Sequence, residues 1–596
     1  MSAPAIGYTS AKTPTNLHPK LLDDNIDPYP RRPDKPSSST MAIAMAWQKP
    51  DNVAGSSAPA IMIGLFVATG GLLFGYDTGI ISGILAMKAF RDEFSTGYVD
   101  LHDHLPNVSP AQSSVIVAIL SAGTFFGALL AAPMGDKLGR RISLIIAVAI
   151  FAIGTLLQTV ALAIMLLVWG RFFAGLGVGT ISVLVPLYQS EMAPKWIRGT
   201  LVCAYQLAIT TGLLLAAIVN IFTESIPHTN AFRIPLALQF IWAGTLLLGL
   251  LLLPETPRYL IKRGSHAAAA LSLSRLRRLD ITHPALVEEL AEIQANHEYE
   301  LSLGPSTYRD VFLGSPHLGR RLLTGCGLQI LQQLSGCNFI FYYGTTFFTR
   351  IGIQSPYIVA LVVAVVNVVS TIPSMFLVES LGRRRLLMFG AGGMAICQLV
   401  VASVGTAIPN SYAANMILIV FVCIYLAFFA ASWGPVAWVV TSEIYPLKIR
   451  AKSMSISTAS NWLLNFSLAY GTPYLVNSGH GYANLQARVF FIWGTFCAIS
   501  VLFVWLMVYE TSRISLEQID EMYERVDHAW NSRAFEPSWS FQVMRDEGVS
   551  ASGIQLTDTE ESRRRTGTWT STAESGTTMT EEDKIIAQLG DVDLSY

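Results

Sequence analysis

Charge is what this chain has least of. Only 14% of its 596 residues are Asp, Glu, Lys or Arg, against about 25% in an ordinary soluble domain, while 52% are hydrophobic. That deficit excludes a water-soluble globule and points to a chain solvated largely by lipid. A formal net charge of −1, with no basic surface beyond clusters flanking apolar runs, argues against nucleic acid as a partner. Cysteine is scarce. Cys203, Cys326, Cys337, Cys397, Cys423 and Cys497 all fall inside apolar segments, so buried free thiols are expected rather than extracellular disulfides. No cleavable signal peptide is visible, because residues 1–57 are polar and rich in Pro and Ser, and the first apolar segment must direct insertion itself. Also missing are a Walker lysine motif, a metal-ligand cluster and a nucleophile constellation. ATP-driven pumping, cofactors, metal and enzymatic catalysis are therefore not expected.

Long apolar runs are what the chain does have. A membrane-crossing helix needs about 20 mainly apolar residues. Such stretches stand near 61–83, 111–132, 142–162, 165–188, 200–222 and 234–253, then near 321–345, 356–378, 386–406, 414–440, 453–475 and 487–508. The expected fold is an all-α membrane protein of twelve transmembrane helices in two six-helix halves, 58–253 and 321–510, with a short cytoplasmic helical insert at 254–320. Loops after spans 2, 4, 8 and 10 carry Lys137, Arg140, Arg141, Lys195, Arg198, Arg383, Arg384, Arg385, Lys448, Arg450 and Lys452, whereas the opposite loops hold only Lys88, Arg91, Arg233 and Arg350. The positive-inside rule then puts both termini and the insert in the cytoplasm, and Asn107 of "NVS" outside, as a glycosylation acceptor.

The halves also repeat. "GDKLGRR" at 135–141 matches "VESLGRR" at 378–384, and "SEMAPKWIRG" at 190–199 matches "SEIYPLKIRA" at 442–451. Duplicated halves around a central site are the build of many secondary transporters. With "PETPR" (254–258), "QQLSGCN" (332–338) and "WGPVAW" (433–438), these motifs resemble the sugar porter branch of the major facilitator superfamily over roughly residues 60–520. The resemblance implies the major facilitator fold and sugar transport by alternating access. It also implies a cytoplasmic salt-bridge network, in which Asp136, Arg140, Glu191, Arg198, Glu255, Glu379, Arg383, Glu443 and Arg450 pair across that face when the cavity opens outward.

One carboxylate, Asp77, stands inside the first span in "GGLLFGYDTGIISGIL" (70–85). At membrane depth it costs roughly 2.5–3.5 kcal/mol. A helical rise of about 1.5 Å per residue puts Asp77 roughly 24 Å from the inner edge and Arg171 of span 4 roughly 21 Å from it. A pair at one depth removes the lone-charge problem, and protonating Asp77 would free Arg171 and link proton occupancy to the packing of spans 1 and 4. In the family resembled, proton-coupled members carry Asp here and animal facilitators Asn, although some fungal hexose facilitators keep the Asp. Proton coupling through Asp77 and Arg171 and a static pair both stay open.

A sugar presents hydroxyls that donate and accept around a weakly apolar face, so its site wants neutral amides and an aromatic wall. Gln332 and Gln333 fall near the midplane of span 7, with Asn338 above them and Asn367 near the midplane of span 8. By the resemblance, Gln206, Gln332, Gln333, Asn338, Asn367, Trp438 and Asn461 match the hexose-binding positions, and Tyr342 and Tyr343 the outer gate; Asn465 is expected to hold helices together. Gly434 and Pro435 should break span 10 and let it bend as a gate. Ala430 stands where animal facilitators have Glu. "GLGVG" (175–179) and "GAGG" (390–393) lie inside spans, where close helix packing explains them better than a nucleotide.

After span 12, "YETSRISLEQIDEMYE" resembles the family's closing motif without its Pro at 509 or its "KG". The cytoplasmic tail, 511–596, is expected to be largely disordered, as is the N-terminus, with kinase or ubiquitin machinery as its partners. The function expected is a plasma-membrane hexose transporter, glucose first, its other partners being the proton and the lipid bilayer. A glucose receptor signalling through the tail and an uncoupled facilitator are the alternatives.

Overall fold

A backbone in lipid must satisfy its own polar groups, which leaves helices as the economical way through. The computed structural model describes residues 54–535 except 96, 100–105, 195–196, 303–307, 315–316, 351–354, 409–411, 447–448, 477–482, 484, 513 and 515. Most of the expected disordered N-terminus, the tail beyond 535, Lys195 and Lys448 lie outside the described residues.

The first half comprises span 1 (Ala58–Ala68 and Gly70–Ala86), span 2 (Pro110–Leu138), span 3 (Arg140–Thr159), span 4 (Ile164–Met192), span 5 (Arg198–Thr223) and span 6 (Asn230–Leu252). Short helices Pro257–Lys262, His266–Arg277, Pro284–Ser302 and Tyr308–Leu313 form the insert. The second half follows with span 7 (Leu318–Leu334 and Cys337–Arg350), span 8 (Pro356–Ser380), span 9 (Arg383–Ala407), span 10 (Tyr412–Ala431 and Trp433–Glu443), span 11 (Arg450–Val476) and span 12 (Val489–Met507).

Ten of these are long and apolar enough to cross a membrane by length and composition alone. Spans 7 and 11 fall short of that measure, and each for a visible reason. Span 7 is divided at Ser335–Gly336, while span 11 carries Ser453, Ser455, Ser457, Thr458, Asn461 and Asn465, all buried. Their polar side chains face protein, so the lipid never meets them.

Span 2 packs on span 4 and, from the other half, on span 11; span 5 packs on span 1 and, from the other half, on span 8. Close approach depends on missing side chains: a Cβ at Gly175 or Gly179 would overlap the carbonyl oxygens of Leu120 or Thr124 in span 2. That is the small-residue packing of membrane helices. Met62, Phe126, Leu248, Leu252, Phe389 and Ile396 point outward, making an apolar surface that only a lipid environment suits.

The halves touch at both ends. At the face bearing the Gly-Arg-Arg turns, Thr200 donates to Met375 O (3.1 Å) and Ser455 to Ala128 O (2.6 Å). At the opposite face Ser82 donates to Thr345 Oγ1 (3.1 Å) and Tyr357 to Gly83 O (3.1 Å).

The segment after span 12 is partly folded. Helix Leu516–Arg525 docks on the foot of span 7, where Arg321 pairs with Asp520 and lies 4.2 Å over the Tyr523 ring.

Candidate functional site

Span 7 breaks where Gly336 takes φ 83°, a left-handed conformation that glycine adopts without penalty. Gln332 and Gln333 end its first piece; Asn338 begins the second. Their amides do not stand apart. Gln333 Nε2 donates to Asn461 Oδ1 (2.9 Å), and Gln333 Oε1 accepts from Asn338 and from Asn465 Nδ2 (3.1 Å). Asn461 Nδ2 in turn reaches Gln329 Oε1 (2.7 Å) and Gln332 Oε1 (3.0 Å). Six amides on spans 7 and 11 therefore form one buried cluster. Asn465, expected to do no more than hold helices, sits in its middle and accepts from Ser121 of span 2 (2.7 Å) and from Tyr342 (3.0 Å). Gln329 was not singled out in the sequence, although it lies one helical turn before Gln332 and Gln333 on the same span.

The break in span 10 falls at Ser432 rather than at Gly434–Pro435. Proline lacks the N–H that would reach back four residues, so the interruption comes before it and Pro435 sits in the first turn of the second piece. Gln332 Nε2 donates across to the first turn of that second piece, at Trp433 O (2.9 Å) and Gly434 O (3.0 Å). From the other half Gln206 abuts Gly434, and Tyr205 meets the Trp438 ring edge to face at 6.1 Å. Gln206 makes no side-chain hydrogen bond among the described residues, and Asn367, buried on span 8, leaves its Oδ1 without a partner. Among the described residues no hydrogen bond joins Asn367 to the cluster.

Tyr342 and Tyr343 are both buried on the second piece of span 7. Tyr343 donates to Ala469 O of span 11 (2.7 Å), and its other side lines a recess with Tyr98, Asn107, Ser113, Phe339 and Phe347. The two rings thus close the amide cluster from that side. Asn107 lies in a two-residue strand paired with Tyr98–Val99.

Asp77 and Arg171 are both fully buried, with Nη2 and Oδ2 3.9 Å apart. The pair is loose: the contact is too long for a hydrogen bond. Asp77 Oδ1 instead accepts from Gln239 Nε2 of span 6 (3.2 Å), whose Oε1 accepts from Thr155 of span 3 (3.3 Å). Gln239 was missed in the sequence because a lone amide in a membrane helix is most often helix glue.

At the charged face the two halves build the same device twice. Arg140 reaches Glu191 (2.9 Å), and Arg383 reaches Glu443 (2.8 Å) and Glu379 (2.8 Å). Asp136 joins Lys262 (2.9 Å) and stands 3.9 Å from Arg140. The pairs of Arg140 and of Arg383 each lie within one half, and Lys262 joins Asp136 from the insert. Glu255 accepts from the backbone N–H of Arg140 (3.1 Å) and Arg141 (3.0 Å), and Glu510 from those of Arg383 (2.9 Å) and Arg384 (3.2 Å). Thr256 and Thr511 donate to Glu191 (2.6 Å) and Glu443 (2.7 Å). A carboxylate on two helix N-termini is the favoured electrostatic arrangement. Glu510 and Thr511 were not recognised from the sequence, although "YETSR" (509–513) repeats "PETPR" (254–258). Burial pushes the Glu255 carboxyl above the usual range, and the backbone N–H groups of Thr256, Arg141 and Arg140 oppose that shift. Arg198 and Arg450, both buried, start spans 5 and 11; Arg450 donates to Tyr445 O (3.1 Å).

Comparison with known proteins matches this geometry. The family model described as "Sugar (and other) transporter" covers residues 63–523. The probable glucose transporter rco-3 of Neurospora crassa is 67% identical over 87% of this chain and 88% of its own length. The high glucose sensor RGT2 of Saccharomyces cerevisiae is 41% identical over 82% of this chain and 64% of its own length. Among solved structures, the proton:xylose symporter XylE bound to 6-bromo-6-deoxy-D-glucose superposes with a TM-score of 0.68 at 29% identity, over 78% of this chain and 100% of that one. An inward-open form of XylE from E. coli reaches 0.58 at the same identity, over 78% and 99%. The chain belongs to the sugar transporter family and has the major facilitator fold.

Proposed function

We infer that the chain moves a hexose, glucose foremost, inward across the plasma membrane by alternating access, in symport with a proton. The observation that carries this reading is the buried amide cluster of spans 7 and 11, flanked by Gln206 and the Trp438 ring. Amides that now bind one another can exchange those bonds for sugar hydroxyls in a near-neutral trade, while a group with no partner among the described residues, such as Gln206, gains about 0.5–1.5 kcal/mol for each bond well made. Gln206, Gln332, Gln333, Asn338, Asn367 and Asn461 are assigned to the hydroxyls and Trp438 to the ring face. Gln206 has a side chain to spare, because it makes no hydrogen bond among the described residues.

With Tyr342 and Tyr343 as the outer gate, and with the Gly-Arg-Arg face cytoplasmic, the structure corresponds to a form closed on both sides. The weaker match to the inward-open form of XylE than to the sugar-bound one supports closure on the cytoplasmic side. Asp77 and Arg171 supply the coupling. Protonation at Asp77 Oδ2 would discharge the 3.9 Å pair, while Gln239 keeps hold of Oδ1. The names of the relatives support sugar transport, and that of the solved relative XylE supports the proton.

The test is labelled-glucose uptake by cells lacking their own hexose carriers, across external pH, with and without a protonophore. Uptake rising at acid pH, collapsing with the protonophore, and losing both responses in Asp77→Asn is the expected result. Uptake indifferent to both would make this a facilitator with a static pair. A chain shown at the surface that carries no sugar would overturn transport, and the sensor reading, which the relation to RGT2 favours, would replace it.

A further inference from the structure

The break in span 7 leaves one carbonyl to account for. In an unbroken helix Ser335 O would accept from the N–H four residues on, at Phe339. Here the Phe339 N–H goes to Gly336 O instead (3.2 Å). Ser335 is 1% exposed, too deep for water to be the routine partner, and an unmet buried carbonyl is expensive. Two side chains from other helices meet it. Gln398 Nε2 of span 9 donates at 2.6 Å and the Tyr425 hydroxyl of span 10 at 2.9 Å. Both residues are 1% exposed. The Gln398 amide has its own orientation set, because its Oε1 faces the Cys497 thiol of span 12 (3.9 Å). Trp493 of the same helix lies against Gly336, where any Cβ would overlap the indole.

This carbonyl sits at a dividing line. Gln329, Gln332 and Gln333 lie before it; Asn338, Tyr342 and Tyr343 lie after it. Swinging the second piece of span 7 away would part Asn338 from Gln333 and Tyr342 from Asn465, opening the amide cluster. Straightening the helix at the same point would return Ser335 O to Phe339. The donors on spans 9 and 10 compete with that return. Among the described residues neither makes a hydrogen bond to a gate tyrosine or to a cluster amide.

We propose that Gln398 and Tyr425 are positioning residues that hold span 7 in its broken, lid-closed form by jointly occupying the Ser335 carbonyl. The inference rests on the reading of Tyr342 and Tyr343 as the outer gate. It has a signature that simple packing lacks, because one oxygen is served by two donors. Removing either donor leaves the carbonyl satisfied, whereas removing both leaves it orphaned and the lid-closed form alone disfavoured.

The experiment uses the full chain in cells, with Tyr425→Phe, Gln398→Met and the double variant, all nearly conserving shape. Each is combined with Ser82→Cys, a buried site on span 1 that faces Thr345 of the lid. The rate of labelling by a membrane-impermeant maleimide from outside reports lid opening, with the chain lacking Ser82→Cys as the background for native thiols. The expected result is labelling within about twofold of the parent in each single variant and at least tenfold faster in the double variant, equivalent to ~1.4 kcal/mol. Vmax per surface molecule should fall only in the double variant. Additive effects of the two singles would overturn the proposal. So would a double variant that reaches the surface and labels like the parent, or one that merely loses folded protein while each remaining molecule labels like the parent. The labelling needs no transport, so a chain that carries no sugar would fail the proposed function without touching this result.

Discussion

Gly199, the second residue of span 5, offers a direct handle on the closed side that bears the Gly-Arg-Arg turns. A methyl group there would collide with Glu379 Oε1 and Arg383 Nη2, both contributed by the other half. Those atoms end flexible side chains, yet neither can move freely. Arg383 holds Glu379 through two contacts of 2.8 and 3.0 Å and Glu443 through a third of 2.8 Å. Admitting the methyl of Gly199→Ala means pulling Glu379 out of that arrangement. A lost hydrogen bond to a charged group is worth about 1.5–3 kcal/mol. The loss falls on the closed form alone, since halves that have separated leave position 199 unobstructed. The closed-to-open ratio at that face should therefore fall roughly 10- to 150-fold.

Ser455→Cys reports it: the residue is buried, and its hydroxyl crosses between halves to Ala128 O. In inside-out vesicles, which expose the Gly-Arg-Arg face in the proposed orientation, an impermeant maleimide should label this cysteine at least tenfold faster in Gly199→Ala than in the parent. Gly244→Ala is the control, because a methyl at that position meets nothing within 4 Å. Labelling within twofold of the parent in a folded Gly199→Ala protein would refute the argument. So would an equal acceleration in the control.

Three further outcomes follow from the structure. Gln206→Ala should raise the KM for glucose about 2- to 12-fold, the equivalent of one hydrogen bond, with thermal stability held. Asn465→Ala, which abandons Ser121, Tyr342 and Gln333 together, should lower the unfolding temperature of the purified protein as well; equal stability in both variants would contradict the division. Burial raises the Glu255 carboxyl above its ordinary range, so the folded protein binds that proton more readily than the unfolded chain. Its contribution to stability is then fully present below the ordinary carboxylate range and is lost as pH rises through the elevated value. Unfolding temperatures between about pH 4 and 7 should show this slope in the parent and less of it in Glu255→Gln.

Much of the architecture was legible along the chain because it rests on one-dimensional signals. A run of about 20 apolar residues is a span wherever it occurs, and the two Gly-Arg-Arg turns announce duplicated halves without any coordinates. Asp77 and Arg171 could be matched by counting helical rise, since depth is a property of position along each span. Spans 7 and 11 were found from the sequence although the first is divided and the second too polar for the simplest apolar criterion. Their amides, though, could be named without being partnered. Gln332 divides itself between the Trp433 and Gly434 carbonyls of span 10 and the amide of Asn461, and Asn465 joins spans 2, 7 and 11 at one point. Neither arrangement leaves a trace in local spacing.

By itself the sequence determined that this protein lives in lipid, how many times it crosses, how its two halves correspond, and which polar side chains it carries to membrane depth. Those features follow from transfer free energies and helical periodicity, which each segment obeys alone. Only the tertiary structure decided which amide bonds which, that Gln239 shares Asp77 with Arg171, that Glu510 repeats the task of Glu255, and that Gln398 and Tyr425 meet at one carbonyl. The same amide can glue helices or bind a ligand, and the choice is made by whatever donor or acceptor a distant helix brings within 3 Å.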